Sequence, residues 1–406
     1  MTNPNGSHAV AIGKNPERSR EHNRRVVLAV VRQHGSLGRA HIAKLTQLTA
    51  QAVANIVDEL VGEGLLMQLG RRKTERGQPP IQFSVDPDGG ATIGVEIAAD
   101  HVVTVALDLS GKLRHQRILP LEDRTPDGIL ATFSSEFKMM QQAVRLKLLG
   151  AGVVMPGPFE IEGMTSVGPT TLPAWGGRDA AQTLGEACGY PVVVENDATA
   201  AAVGERLFGA GRAISNFCMV YFGVGLGLGM IQDGAPYRGA FGNAGEIGHI
   251  TIKPRGKSCP SCGQRGCLEG YVSTYALREK LQAAGISDTD FETLERLHAE
   301  RHPIVAQWIR EAADHLGPVL AMLENILDPQ TLILGGTLPD RIIDDVIAGM
   351  HRLPTSVASR RQRDLPRIMR GQTGQLTAAL GAAALPLFDM VTPKLEISLQ
   401  ETGAQI

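Results

Sequence analysis

The pattern of apolar residues changes at Pro87, and this change limits the chain to at least two parts that are built differently. Between residues 23 and 63, apolar residues recur at helical spacing in three segments, around 26–31, at 39–45 and at about 50–63. After Pro87, short apolar runs alternate with helical segments. These runs are 150–155, 192–195, 218–222, 228–231 and 331–334. Alternation of this kind predicts an α/β protein in which helices cover layered sheets.

Two strands and a basic turn are predicted after the third helical segment. Residues 65–69 and 81–85 have the composition of strands, and the sequence RRKTERGQPP joins them. With the three helices, this hairpin predicts a winged helix-turn-helix domain over residues 23–86. Residues 1–22 are polar and lack periodicity, which indicates a flexible arm.

Charge is divided unevenly along the chain. Residues 1–85 carry twelve Lys and Arg against six Asp and Glu, a net charge of +6, whereas the whole chain has −2 and the remainder therefore −8. This asymmetry predicts that the first segment meets a polyanion. No apolar run approaches the roughly 18 residues that span a bilayer. We therefore expect no membrane contact and a cytoplasmic protein, located at the nucleoid when it is bound to DNA.

The second and third helical segments have the spacing of a helix-turn-helix, so operator DNA is the expected partner. Gln51 and Asn55 would lie on the outer face of the third helix, where their amides can read adenine in a major groove. Basic side chains before and within the hairpin could contact phosphate or the minor groove. These are Arg39, Arg71, Arg72, Lys73 and Arg76. The alternative is a three-helix oligomerisation or peptide-binding module with a solvated basic loop.

A cluster of metal-binding residue types follows in the sequence GNAGEIGHITIKPRGKSCPSCGQRGCLEGY. His249, Cys259, Cys262 and Cys267 supply one imidazole and three thiolates, which make a closed tetrahedral Zn²⁺ site. Glycines after the CxxC pair allow the backbone to turn tightly enough for the last two cysteines to converge. A closed site has no position for a reactive water, so the zinc is predicted to be structural. The alternative is a set of unpaired reduced thiols.

The chain resembles the ROK family of sugar-binding repressors and sugar kinases. The resemblance rests on GEIGH, the cysteine cluster and CLE, together with MPGP at 155–158, VENDATAAAVGE at 194–205, FGVGLGLGMI at 222–231 and LILGG at 332–336. The winged helix and its GQPP motif at 77–80 resemble the repressor branch, which includes repressors of the N-acetylglucosamine, glucose and xylose type. One departure is the CxxC spacing, where many members have CxC.

The resemblance implies an actin-like, two-lobed sugar-kinase fold that forms homodimers or homotetramers. Lobe one would comprise residues 87–198 and 376–392, and lobe two, with the zinc site, residues 199–375. A sugar or sugar phosphate would bind in the interlobe cleft. The matching motif positions are Asn196, Asp197, Glu246, His249 and Glu269. His249 could bind zinc through one ring nitrogen and a sugar hydroxyl through the other, which would make the metal a support for the sugar pocket.

The same comparison argues against an enzyme. Asp197 could serve as the catalytic base of a kinase, but family kinases carry Asp-x-Gly-Gly-Thr in their first phosphate loop, where this chain has residues 96–100, EIAAD. Backbone amides could not approach phosphate closely there, and Asp100 would repel it. The glycines of GVGLGLG at 223–229 are then interpreted as a place where two sheets pack closely, or as a hinge, rather than as a second phosphate loop. Two alternatives stay open: an ATP-dependent sugar kinase with an attached DNA-binding domain, and a zinc-stabilised scaffold without a sugar ligand.

Overall fold

The chain forms two compact units. The first comprises Met1–Gly90 with Phe388–Ile406, and the second comprises Ala91–Leu387. The computed structural model describes residues 10–11, 16–71, 81–157, 172, 175, 179–350, 353–358, 363–391 and 397–398. Within these described ranges, no helix is both long and apolar enough to cross a membrane.

Three helices form the core of the first unit. They are α1 (Pro16–His34), α2 (Arg39–Thr46) and α3 (Ala50–Gly62). Gln47 adopts a left-handed conformation, with φ of 56°, and ends α2, while the Thr49 hydroxyl accepts a hydrogen bond from the Ala52 amide and caps α3. Side chains from all three helices fill the space between them. The buried ones are Val27, Leu28, Val31, Ile42, Val53, Ile56, Val57 and Leu60.

Helix α1 begins at Pro16, although the sequence pattern predicted a flexible arm up to residue 22. The early turns are attached to α3 by ion pairs rather than by apolar contacts. Arg20 lies 2.5 Å from Glu59, and Arg24 pairs with Glu59 at 3.2 Å and with Glu63 at 2.6 Å. Because polar pairs leave no apolar periodicity in the sequence, the pattern could not reveal that residues 16–22 are helical.

Short strands complete the first unit. A three-stranded antiparallel sheet has the order β2 (Leu37–Gly38), β4 (Ile81–Val85), β3 (Leu66–Arg71). Its hairpin contains the two predicted strands, whereas residues 72–80 between them lie outside the described residues. A separate pair joins β1 (Val10–Ala11) to β15 (Ile397–Ser398). The helices and the hairpin therefore have the order that the sequence predicted.

The second unit contains two five-stranded sheets with the same plan. In each sheet, the first three strands in sequence pair antiparallel, and the last two extend the sheet in parallel on the other side. The first sheet, in spatial order, is β7 (Leu113–Pro120), β6 (His101–Asp108), β5 (Ala91–Ile97), β8 (Leu148–Met155) and β9 (Val192–Asn196). The second is β12 (Ala235–Pro236), β11 (Leu226–Gln232), β10 (Phe217–Phe222), β13 (Thr331–Gly336) and β14 (Ile368–Arg370).

Helices pack on both sheets. They are α4 (Pro126–Val144), α5 (Ala180–Cys188), α6 (Asp197–Phe208), α7 (Glu269–Val272), α8 (Thr274–Ala283), α9 (Phe291–Ala299), α10 (Pro303–Leu327), α11 (Asp340–Gly349) and α12 (Thr377–Val391). Phe133 and Phe137 of α4 lie in the core beside the first sheet, and Trp308 of α10 lies in the core beside the second. Each sheet thus has its own apolar core.

Glycines on the strands allow helices to approach the sheets closely. A Cβ on Gly152 of β8 would collide with the carbonyl oxygen of Ala382 in α12. Likewise, a Cβ on Gly229 of β11 would collide with the carbonyl oxygen of Ala198 in α6. Gly229 belongs to the GVGLGLG segment, for which the sequence predicted close packing of two sheets or a hinge; the element packed against it is instead a helix.

Candidate functional site

The four predicted metal ligands come together in the second unit. One ligand atom from each of His249, Cys259, Cys262 and Cys267 lies within 4.8 Å of the others. The sulfurs of Cys262 and Cys267 are 3.6 Å apart, and the Cys259 sulfur is 3.8 Å from Nδ1 of His249. Tetrahedral zinc with Zn–S bonds of about 2.3 Å would place its sulfurs about 3.8 Å apart. The donor set and its spacing therefore fit a closed metal site.

The backbone of the cysteine loop explains this convergence. Isolated bridges pair Thr251 with Cys267 and Ser258 with Arg265, so the loop folds back on itself. Gly266 has φ of 75°, and a Cβ there would collide with the Lys253 carbonyl oxygen. Only glycine permits both this conformation and this approach. The loop thus brings the last cysteine beside the others, as the sequence predicted.

His249 lies between the cysteines and a carboxylate. It is the last residue of a short 3-10 turn, Ile247–His249. Its Nδ1 faces Cys259, while Nε2 is 3.9 Å from Oε2 of Glu246. The two ring nitrogens therefore point to different groups, which is the arrangement that a dual metal and ligand role requires.

Asn196 and Asp197 stand where β9 ends and α6 begins. The Asn196 side chain accepts hydrogen bonds from the amides of Ala198 and Thr199, and so caps α6. A Cβ on Gly157 would lie 2.9 Å from Nδ2 of Asn196 and 3.5 Å from Oε1 of Glu246, so these two side chains both border Gly157. The helix start therefore fixes one wall of a polar site.

Asp197 is partly buried and lines a pocket. Burial raises the pKa of Asp197 to about 7, against the hydrogen bond from the Ala198 amide, and the charges of Glu96, Glu246 and Glu269 add to the rise. Pocket-lining residues come from the first sheet, from the segments that follow its strands, and from the turn between β10 and β11. They are Glu96, Ile97, Ala98, Ala99, Val154, Met155, Pro156, Asp197, Gly223, Val224 and Gly225. A ligand that donates a hydroxyl hydrogen bond would offset the unfavourable surroundings of this carboxylate.

Glu269 is the most buried of the five predicted sugar contacts. It is 5% exposed at the start of α7. Its Oε1 accepts a hydrogen bond from the Ser261 hydroxyl at 2.6 Å, and its Oε2 accepts one from the Leu226 amide at 3.4 Å. The five predicted positions thus gather around one polar region, but Glu269 already has two protein partners.

The turn between β5 and β6 is bonded to the second half of the unit. Asp100 pairs with Arg278 of α8 at 2.5 Å and with Nδ1 of His101 at 2.6 Å. Although burial opposes ionisation, the hydrogen bond from His101 and the charges of His101 and Arg278 hold the pKa of Asp100 below its usual range. Beside it, the Tyr221 hydroxyl donates to Glu96 at 3.0 Å. The two acidic side chains of EIAAD are therefore bonded within the protein, whereas the three residues between them line the pocket.

A second ion pair lies beside Asn196. Arg238 Nε donates to Oε2 of Glu195 at 2.6 Å, and Oε1 of Glu195 accepts the Asn196 amide at 3.0 Å. Sequence reasoning missed Glu195, Arg238 and the Asp100–Arg278 pair. Asp100 and Arg278 are 178 positions apart, so no local spacing could have revealed them.

The predicted DNA contacts belong to the first unit. Gln51 and Asn55 are both exposed on α3, and their side chains bond to each other at 2.9 Å. Arg39 pairs with Asp58, and its guanidinium lies 5.1 Å from the centre of the Phe83 ring. The side chain of Arg71 and the whole of Arg72, Lys73 and Arg76 lie outside the described residues.

A sequence model of the ROK family matches residues 92–387, and the chain belongs to the ROK family. The xylose repressor of Bacillus subtilis strain 168 is 27% identical over 381 residues, which are 91% of this chain and 97% of the relative. A crystal structure of a ROK family transcriptional regulator, described as a homologue of the Escherichia coli MLC protein, has a TM-score of 0.72 and 22% sequence identity. The superposition covers 92% of this chain and 98% of the regulator chain.

A ROK family glucokinase from Streptomyces griseus, solved with glucose and AMPPNP, has a TM-score of 0.62 and 26% identity. The superposition covers 73% of this chain and 99% of the glucokinase chain. The actin-like, sugar-kinase type of fold is therefore confirmed for the ROK domain. The two relatives described as regulators match over a larger share of this chain than the glucokinase does.

Proposed function

We propose that the chain is a sugar-responsive transcriptional repressor that acts in the cytoplasm. Residues 23–86 would form its winged helix-turn-helix domain, and the ROK domain would divide into lobe one, 87–198 with 376–392, and lobe two, 199–375. The observation that carries the proposal is the joining of a three-helix unit, with two exposed amide side chains on α3, to a ROK domain. Similarity to regulators over 91–92% of the chain supports the same conclusion.

The sugar or sugar phosphate would bind in the region bordered by Asn196, Asp197, Glu246, His249 and Glu269. Carboxylates accept hydrogen bonds from sugar hydroxyls, while the Asn196 amide can donate as well as accept. Zinc would hold the cysteine loop as a rigid frame and fix the orientation of His249 through Nδ1. Its own contribution is structural, since all four positions of a tetrahedron are filled by the protein.

Titration of operator DNA with and without sugar tests this function. Operators would first be selected from random duplexes with the full-length protein, and xylose, glucose, N-acetylglucosamine and their phosphates would then be added. We expect one ligand to weaken operator affinity by about 5- to 150-fold, the usual range of coupling between two sites, and DNA to weaken sugar binding by the same factor. As a homodimer or homotetramer, the protein would engage half-sites about 34–36 Å apart or multiples of this spacing.

Asp197→Ala and Glu246→Ala are the variants that should no longer respond to the sugar. Both should bind the operator as the unmodified protein does when sugar is absent. A full response to sugar in both variants would show that these residues are not the sensor. Absence of DNA binding at low salt by the full-length protein would overturn the repressor function itself.

Gln51→Ala is expected to lose about 1–3 kcal/mol of affinity at the selected operator, because an amide that reads a base contributes about this much. Binding to unrelated duplexes should change little, since phosphate contacts dominate there. Competition between operator and unrelated DNA measures the difference. Gln33→Ala provides the matched control, because Gln33 is exposed near the end of α1. Equal losses on both kinds of DNA would assign Gln51 to general rather than specific contact.

A sugar kinase is the second candidate, and it is favoured by the retained Asp197 and by the similarity to a glucokinase. In that case Asp197 would accept the proton of the attacking hydroxyl. The contacts of Asp100 with Arg278 and His101 argue against it, because they occupy the turn that would receive phosphate. Release of ADP from ATP with the same sugars, lost in Asp197→Asn, would establish the kinase.

A further inference from the structure

Ser261 lies inside the cysteine loop and contacts a predicted sugar-binding carboxylate. It stands between Cys259 and Cys262, in the CxxC segment that is one residue longer than the CxC of many family members. Its hydroxyl donates to Oε1 of Glu269 at 2.6 Å. Ser261 is 7% exposed and Glu269 5%, so solvent competes little for this hydrogen bond. The CxxC segment thus places a buried hydroxyl on a carboxylate of the proposed site.

This contact limits the geometry of Glu269. The Ser261 hydroxyl bonds one carboxylate oxygen and the Leu226 amide bonds the other, so the group cannot rotate freely. A carboxylate can accept about four hydrogen bonds, and each oxygen therefore keeps capacity for a sugar hydroxyl. The Cys259 sulfur lies 3.9 Å from the same Oε1. The carboxylate is consequently held by the loop that carries the metal ligands.

We propose that Ser261 is a positioning residue for the sugar ligand and that it acts through Glu269. Metal binding by Cys259 and Cys262, on either side of Ser261, would fix the backbone of Ser261. The hydrogen bond from its hydroxyl would then hold the Glu269 carboxylate in one orientation. The sugar then meets an acceptor whose direction is already set, and binding does not have to order it. This inference rests on the proposed sugar-binding function.

Sugar affinity of the full-length, zinc-loaded protein tests the inference. Calorimetric titration with xylose, glucose and N-acetylglucosamine would compare the unmodified chain with Ser261→Ala, Ser261→Thr and Ser258→Ala. Ser258 is the matched control because it lies in the same loop and contacts the Gly263 carbonyl oxygen at 3.4 Å instead of Glu269. We expect Ser261→Ala to bind sugar about 5- to 10-fold more weakly, the size of one lost hydrogen bond. Ser261→Thr should retain affinity through its hydroxyl.

The zinc content of Ser261→Ala distinguishes a positioning role of Ser261 from a role in stabilising the loop that carries the metal ligands. Ser261→Ala should keep one zinc per chain and bind the operator normally when sugar is absent. The inference is overturned if Ser261→Ala binds sugar like the unmodified chain, if it loses zinc together with affinity, or if Ser258→Ala shows the same loss. Failure of the unmodified protein to bind any of the three sugars or their phosphates would instead overturn the proposed function, and with it this inference.

Discussion

Removal of zinc is expected to abolish sugar binding and to lower the Tm of the ROK domain by on the order of 10 °C. A loss of several kcal/mol has this effect, since each kcal/mol shifts the Tm of a large domain by about 2–4 °C. Without the cation, three thiols crowd within one loop, and His249 loses the partner that fixes Nδ1. The same outcome should follow from Cys267→Ser, because a closed site that lacks one ligand binds zinc weakly.

Elemental analysis, thermal unfolding and sugar titration together check this prediction. The purified protein should contain about one zinc per chain. Cys188→Ser is the matched control, because Cys188 in α5 lies outside the cluster and its sulfur hydrogen-bonds to the backbone oxygens of Gly185 and Tyr190. Protein prepared with ample metal that still contains no stoichiometric zinc would contradict the assignment.

Replacement of Asp197 by asparagine is expected to flatten the dependence of stability on pH. In the folded protein the pKa of Asp197 is raised to about 7, mainly by burial, whereas an unfolded chain has the ordinary value of about 4. Between these values the folded state binds the proton more strongly. This contribution to stability is complete below about pH 4 and is lost as pH rises through 7, by at most about 4 kcal/mol.

Urea unfolding at pH 5 and pH 8 measures this difference. The unmodified protein should lose more stability between the two pH values than Asp197→Asn, whose amide does not ionise. Asp127→Asn is a suitable control because Asp127 is exposed in the first turn of α4 and is not among the groups that act on Asp197. If Asp197→Asn and the unmodified protein have parallel pH profiles, Asp197 does not carry a raised pKa.

The group of potential metal ligands and the helices α2 and α3 were predictable, because the residues that determine them lie close together in the sequence. Cys259, Cys262 and Cys267 lie within one loop, and glycines mark its turns. Thr49 caps α3 within the same short segment that shows helical spacing. Helix α2 was predicted at 39–45 and ends at Thr46, and α3 was predicted at 50–63 and ends at Gly62. Signals of this kind do not depend on the rest of the fold.

Contacts between distant polar residues could not be predicted in the same way. Arg278 reaches Asp100 only because the fold brings α8 to the turn between β5 and β6. The Tyr221–Glu96 hydrogen bond joins residues 125 positions apart. The sequence also predicted Glu269 as a sugar contact without its bond to Ser261. Such pairs arise from topology, and their side chains have no periodic pattern that marks them.

The glycines under the helices have a consequence for genetic screens. Gly152 and Gly229 face helix backbones so closely that even a methyl group would force strand and helix apart. Gly94 on β5 is equally enclosed against α12, and Gly381, a residue of α12, is enclosed against α6. A search for alleles that have lost regulation would therefore recover glycine replacements at strand centres as readily as changes in sugar contacts. Protein abundance in each mutant strain would have to be determined before such an allele is assigned to effector recognition.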